Sequence, residues 1–514
     1  MRVSSSWSRW ATSVVVVAAL ATTFGGCGSS AGSSAKGAES AATTVPGYAP
    51  VYVTGPCPMP VPPDPKIDCG TVTVPENRAD PTGAQVHLAV ARVSSPAADG
   101  ASSPVVRLTG GPGFGALQAL NSANGKNTNP LLAHHDLIYI DQRGTGYSQP
   151  NLDCPERDAA IWTGLGRSAS YPTEYATVAT AIQACKQRLE AAGIDLAAYD
   201  TVSNATDIAD VRVAMGIPSW TLTSVSYATL LAQEIMRSHP EGVRAVVLDS
   251  VVPTDYTAPE QQVDSANRAF DTLFTGCEQS PTCNAAYPKL RDRFAATLAS
   301  YDQNPFVTTI KDRAGMPHAV SINGGELLAG IFNTMYTTKQ IPSVPALIVL
   351  MEQRNPALQT GFEQGFAQIF DASDGVYYSV DCRDRLHDAT TDKVASVVDA
   401  NPDFGFLYEL NSIAGCATWN NGAADASFNQ LMSSDIPTLV LAGSYDPITP
   451  PAGSKRVADN LAHATYVEFD GTGHGVFRTN PCADQLVLSF VAQPSALVDT
   501  SCVSTVGPPA FQLP

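Results

Sequence analysis

Short apolar runs punctuate this chain at residues 71–74, 86–93, 104–108, 137–140, 220–225, 243–251, 437–442 and 465–469. Runs of this length, rich in Val, Ile and Leu, read as strands with apolar residues on both faces. Helical patterns over 175–192 and 205–215 precede the run at 220–225, and another, 227–238, follows it directly. Strands alternating with helical stretches predict an α/β fold, with a mostly parallel sheet flanked by helices. From Thr257 to about Asn420 the pattern changes: helical stretches over 262–273, 288–301, 324–336, 345–354 and 360–370 are separated by Pro, Asn and Asp. This predicts a helical cap inserted into a discontinuous core, with core parts at 49–256 and 421–514 and the cap at 257–420. Caps of this kind exclude water and select the substrate.

The first residues follow a different logic. Arg2 and Arg9 precede an apolar stretch over 10–24, and small residues lead to Cys27. The stretch is short for a stable span, so residues 1–26 read as a signal peptide. Phe24-Gly25-Gly26-Cys27 resembles a bacterial lipobox, which makes Cys27 the lipidated first residue of the mature protein and its link to the membrane. Residues 27–48, rich in Ser, Ala, Gly and Thr, are expected to form a flexible linker.

Charge and cysteine content narrow the setting. The formal net charge is −18, which argues against nucleic acid and against an electrostatic hold on anionic lipid. Of 11 cysteines, all but Cys27 are available for pairing, an even set. They are Cys57, Cys69, Cys154, Cys185, Cys277, Cys283, Cys382, Cys416, Cys482 and Cys502. Zinc spacings and CxxC are absent among them, so disulfides in an oxidising compartment are expected. Pairing in order of succession closes each loop within one local region of the expected fold. Eight histidines without HExxH or clustered spacing imply neither a metal nor an organic cofactor.

The candidate chemistry lies where apolar runs end. Ser226 sits between the run 220–225 and the helical stretch 227–238, Asp446 follows the run 437–442, and His474 follows the run 465–469. Parallel strands present functional residues just past their C-terminal ends. A serine hydroxyl becomes a competent nucleophile when an imidazole takes its proton, and a carboxylate fixes the tautomer of that imidazole. Asp249, after the apolar residues 245–248, is the rival for the acid. Upstream, Thr109-Gly110-Gly111-Pro112-Gly113 follows another run; glycines there let the backbone bend so that amides face a cavity. Amides of Gly110 or Gly111, with that of Tyr227, are the expected oxyanion hole. A phosphate cradle fits less well, because Pro112 lacks an N–H and no Gly-Lys-Ser/Thr follows.

The strings TGGPG (109–113), DQRGTGYS (141–148), SVSYATLLA (224–232), SYDPITP (444–450) and GTGHG (471–475) resemble the proline iminopeptidase and tripeptidyl aminopeptidase group of serine peptidases, particularly its secreted actinobacterial members. The resemblance runs collinearly from about residue 57 to 505. It implies an α/β-hydrolase fold and an exopeptidase that removes short N-terminal peptides, with Asp446 favoured over Asp249 as the acid. Two departures stand out: Ser224 and Ala228 occupy the glycine positions of the GxSxG elbow, and Thr109 stands where His often precedes GGPG. The turn is expected to survive these with a tighter fit. Asp141 and Arg143 are expected to brace the turn after their strand.

A substrate with a free N-terminus needs an acidic partner for its ammonium. The resemblance includes a Cys-x-Asp pattern matching Cys382-Arg383-Asp384, which makes Asp384 the first candidate and Asp381 the second. Arg383 and Arg385 are competing ion-pair partners. The expectation is therefore an exported, monomeric serine aminopeptidase acting on peptides outside the cytoplasmic membrane, either lipid-anchored or secreted. Two alternatives remain: an esterase or lipase using the same triad, and a binding lipoprotein on a decayed hydrolase scaffold.

Overall fold

The computed structural model describes residues 48–514 apart from 98–102, 122–128, 167–170, 258–259, 313–314, 360, 363–371, 388–389 and most of 391–413. The expected signal peptide, Cys27 and the linker up to residue 47 lie outside the described residues, as does nearly all of the helix expected over 360–370. Among the described residues, nine strands form one sheet in the order β1-β2-β3-β5-β4-β6-β7-β10-β11. They are β1 (Tyr52–Gly55), β2 (Ile67–Pro75), β3 (Gln85–Val93), β4 (Val105–Arg107), β5 (Leu137–Ile140), β6 (Trp220–Ser226), β7 (Val243–Val251), β10 (Thr438–Gly443) and β11 (Ala464–Phe469). Pairings from β1 to β5 through β2 and β3 are antiparallel, and all others are parallel.

Both faces of this sheet are covered, which is why its strands read as continuous apolar runs. In β7, Val246 and Leu248 join one buried cluster and Ala245 and Val247 the other. β10 divides in the same way, with Val440 on one side and Leu439 and Leu441 on the other. The period-2 geometry of a strand thus buries alternate residues against different helices. Helices Tyr171–Ala191, Thr201–Ala214 and Tyr227–Ser238 contribute to the first cluster, and Pro481–Ala492 to the second.

A third cluster holds the insertion. It gathers Ala266, Phe270, Phe294, Ile331 and Ile348 among others, and reaches Leu165 and Tyr445 of the core. Two corrections to the expected helical cap follow. The cap contains a hairpin, β8 (Phe306–Lys311) paired antiparallel with β9 (Pro317–Ile322). β8 is half polar and buries only Ile310, so it lacks the continuous apolar signal of a buried strand. The cap also ends earlier than residue 420. Helix Asp374–Asp384 packs Val376, Tyr378 and Val380 into the first core cluster, together with Cys416 and Trp419.

Disulfides join Cys57–Cys69, Cys154–Cys185, Cys277–Cys283, Cys382–Cys416 and Cys482–Cys502, in order of succession. Their sequence separations are 12, 31, 6, 34 and 20 residues, so each staples a local region.

Candidate active site

Ser226 ends β6 with φ 61° and ψ −134°, and the helix Tyr227–Ser238 starts at the next residue. This backbone is costly for a non-glycine residue and persists only when its surroundings enforce it. Those surroundings accommodate both departures from the elbow pattern. The Ser224 hydroxyl donates to the Val247 carbonyl on β7 at 2.8 Å, and Ala228 is fully buried. The Tyr227 ring is buried, with its hydroxyl paired to Thr201 Oγ1 at 3.0 Å, which fixes the first turn of the helix.

The loop after β4 lies directly against this elbow. A Cβ at Gly110 would stand 2.7 Å from the Val225 carbonyl oxygen, 3.0 Å from Ser226 Cβ and 3.6 Å from the Tyr227 amide nitrogen. Gly110 is therefore a glycine by contact. Gly111 has φ +120°, open to glycine and strained for other residues. Gln142 Nε2 donates to the Thr109 carbonyl at 2.8 Å, and the Asp141 carboxylate accepts the Leu117 and Tyr147 amides at 2.8 Å each. Arg143 is buried, pairs with both oxygens of Asp207 at 2.7 Å and donates to the carbonyls of Glu76 and Ala198. Asp141 and Arg143 thus brace backbone.

Asp446 is buried beyond β10, and its Oδ2 lies 2.8 Å from His474 Nδ1. Thr449 Oγ1 donates to the same oxygen at 2.6 Å, while the amides of Ile448 and Thr449 donate to Oδ1 at 2.9 Å each. Burial alone would raise the Asp446 pKa; the His474 charge and these hydrogen bonds outweigh it and hold the carboxyl below its usual range. For His474, burial pulls the pKa down and Asp446 pulls it up, with a net rise. An imidazole fixed through Nδ1 offers Nε2 as a base.

The rival carboxylate has another task. Asp249, buried at the end of β7, accepts the Val476 amide at 2.8 and 2.9 Å and the Phe477 amide at 2.8 Å. Burial pushes its pKa up to about 6, against the pull of those amides and of His474.

Cap residues that the sequence did not single out also meet the site. The His474 amide donates to the Tyr336 carbonyl at 2.9 Å, and the Gly473 amide to Thr338 Oγ1 at 3.1 Å. The Tyr336 ring stands edge-on to the imidazole, 5.0 Å between centroids. Arg268, on the cap helix Glu260–Gln279, donates to the carbonyls of Ser444 and Asp446. Contacts spanning more than a hundred residues leave no local pattern to read.

The two candidates for an ammonium partner require correction. Asp384 is fully buried, with Oδ2 accepting the Thr201 amide at 3.0 Å. Burial and the neighbouring Asp200 carboxylate hold its pKa well above the carboxylate range. Asp381 is also fully buried and is taken up by Arg385, whose Nε and Nη2 lie 3.0 and 2.6 Å from Oδ1. Helix Asp374–Asp384 packs into the core, where Asp381 Oδ2 and Asp384 Oδ1 are buried without a hydrogen-bond partner. Among the described residues, no group of three or more His, Cys, Asp or Glu is placed to hold a metal ion.

Comparison with known proteins adds an independent view. Residues 402–502 match the family model described as TAP-like protein. The chain is 30% identical over 466 residues to a tripeptidyl aminopeptidase of Streptomyces coelicolor, covering 83% of this chain and 81% of that protein. It is 26% identical over 454 residues to carboxylesterase B of Mycobacterium tuberculosis, covering 82% and 83% of the two chains. It is 23% identical over 450 residues to serine protease Hip1 of the same species, covering 82% and 84%.

Proposed function

This chain belongs to the TAP-like group of α/β-hydrolases, and on that premise we propose that it is an exported serine exopeptidase releasing short peptides, tripeptides first among them, from free N-termini. Ser226 attacks the scissile carbonyl as His474 Nε2 takes its proton. Asp446 holds the imidazole tautomer and steadies its charge. The amides of Tyr227 and of Gly110 or Gly111 receive the oxyanion, and His474 returns the proton to the leaving amine. Water then hydrolyses the acyl-enzyme by the same path in reverse.

The observation that carries this reading is the 2.8 Å contact between His474 Nδ1 and Asp446 Oδ2, taken with a serine held at φ 61° on the strand-to-helix turn. The similarity to a tripeptidyl aminopeptidase supports the exopeptidase specificity. Five disulfides fit an oxidising compartment, and lipidation at Cys27 would hold the enzyme at the outer face of the membrane.

An esterase is the second reading. It is favoured by the burial of Asp384 and Asp381, which leaves neither free for a substrate ammonium, and by the similarity to a carboxylesterase. A fluorophosphonate probe, followed by tripeptide anilides with free or acetylated N-termini and by p-nitrophenyl esters, separates the readings. Labelling of wild type but not of Ser226→Ala, with cleavage restricted to free N-termini, is the expected result. Preference for esters, or indifference to acetylation, would reject the aminopeptidase.

A further inference from the structure

His474 follows β11 at the edge of the sheet, whereas Ser226 ends β6 three strands inward. The histidine loop must therefore cross the ends of β10 and β7 to reach the nucleophile. Three consecutive amides of that loop are captured at the end of β7. Gly475 N–H donates to Ser250 Oγ at 2.9 Å, Val476 N–H to both oxygens of Asp249, and Phe477 N–H to Asp249 Oδ2 at 2.8 Å. Asp249 is the register partner of Val225, the residue before Ser226. Ser250 adopts φ 57°, a strained conformation at the point where its hydroxyl meets the loop. A Cβ on Gly475 would lie 3.5 Å from Val225 Cγ2, so the loop passes close to the nucleophile strand there.

We infer that Asp249 and Ser250 are positioning residues that fix His474 against Ser226, an inference that rests on the triad reading above. A buried carboxylate has a desolvation cost that an apolar residue of similar size would avoid. Its use here is directional, since it takes two adjacent amides that no apolar side chain could orient. Asp249 also acts through space on the imidazole, whose protonated form it favours alongside Asp446. Among the described residues, the titratable groups facing His474 are Asp446 from the loop after β10, Asp249 from β7 and Tyr336 from the cap, with the neutral Thr449 Oγ1 also 3.2 Å from Nδ1. The Tyr336 hydroxyl, raised by burial, stays neutral.

The test compares full-length wild type, Asp249→Asn and Ser250→Ala with Ser226→Ala as reference, using the fluorophosphonate labelling rate and kcat and KM on the best substrate across pH 5–9. In Asp249→Asn an amide nitrogen faces amide donors, so kcat is expected to fall about 100-fold with KM within about threefold. The acid limb of kcat should move to lower pH, because one of the two carboxylates that raise the His474 pKa is gone. Ser250→Ala, which loses one acceptor, should lose about three- to tenfold in kcat with its acid limb in place. An Asp249→Asn enzyme that stays folded with kcat within threefold of wild type and an unmoved acid limb would overturn the inference. If that variant does not fold, a Ser250→Ala kcat equal to wild type overturns it. Wild-type labelling that survives Ser226→Ala would instead reject the triad reading itself.

Discussion

The guanidinium of Arg268 donates to the backbone carbonyl of Asp446, and to that of Ser444 at 2.7 Å, so a cap side chain holds the loop of the carboxylate that pairs with His474. Removing those donors frees the loop on its cap side while leaving the carboxylate in place. Arg268→Ala is expected to lower kcat about 10- to 100-fold with a smaller change in KM, and Arg268→Lys to recover part of it. Steady-state kinetics on one substrate decide this; unchanged kcat in a folded Arg268→Ala would show that the triad loop stands without the cap.

Asp446→Asn keeps the shape of the acid and discards its charge. A loss of about 10³- to 10⁴-fold in kcat is expected. Because Asp446 raises the His474 pKa, the acid limb of wild-type kcat/KM should lie above the 6.5 of free imidazole and move down in this variant. The pH profile of both proteins reads the sign directly.

Gly110→Ala tests the closeness of the loop to the elbow. The added methyl would meet the Val225 carbonyl at 2.7 Å, and backbone has little room to retreat. Activity should fall at least about tenfold, with fluorophosphonate labelling slowed in parallel. Equal labelling would place the oxyanion donors elsewhere.

Asp384→Asn should leave kcat/KM on a free tripeptide anilide within about threefold of wild type, since the side chain is buried against Thr201. Its effect belongs to stability. The folded pKa is raised, so the folded state binds more protons than the unfolded chain, and wild type loses stability as pH rises from the ordinary carboxylate range to that raised value. The asparagine variant lacks this loss. Its melting temperature relative to wild type should climb over that window and then level off; a constant difference from pH 4 to 9 would mean that Asp384 does not titrate.

The sheet was legible because its strands are covered on both faces: 137–140 and 243–251 coincide with β5 and β7 to the residue. Helix Gly324–Tyr336 was equally clear, opening on an Asn323 capping box with Glu326. The hairpin β8–β9 was not, since β8 buries little but Ile310. Ser226, Asp446 and His474 were readable because each follows an apolar run, a local signal. The Cys-x-Asp pattern pointed to Asp384, but burial depends on where helix Asp374–Asp384 packs, and no feature of its 11 residues distinguishes a cap from a core. Arg268, Tyr336 and Thr338 were silent for the same reason: their contacts with Asp446, Gly473 and His474 exist only after the cap has docked.

The loop bearing His474 is held at its tail by residues 249–250 and at its head by residues 336–338, one from the sheet and one from the insertion. Neither half of the core can arrange it alone. Hydrolysis therefore requires the sheet and the insertion both to be in place. Recovery of turnover after denaturation, with the disulfides intact, would then report cap docking as well as the return of sheet structure.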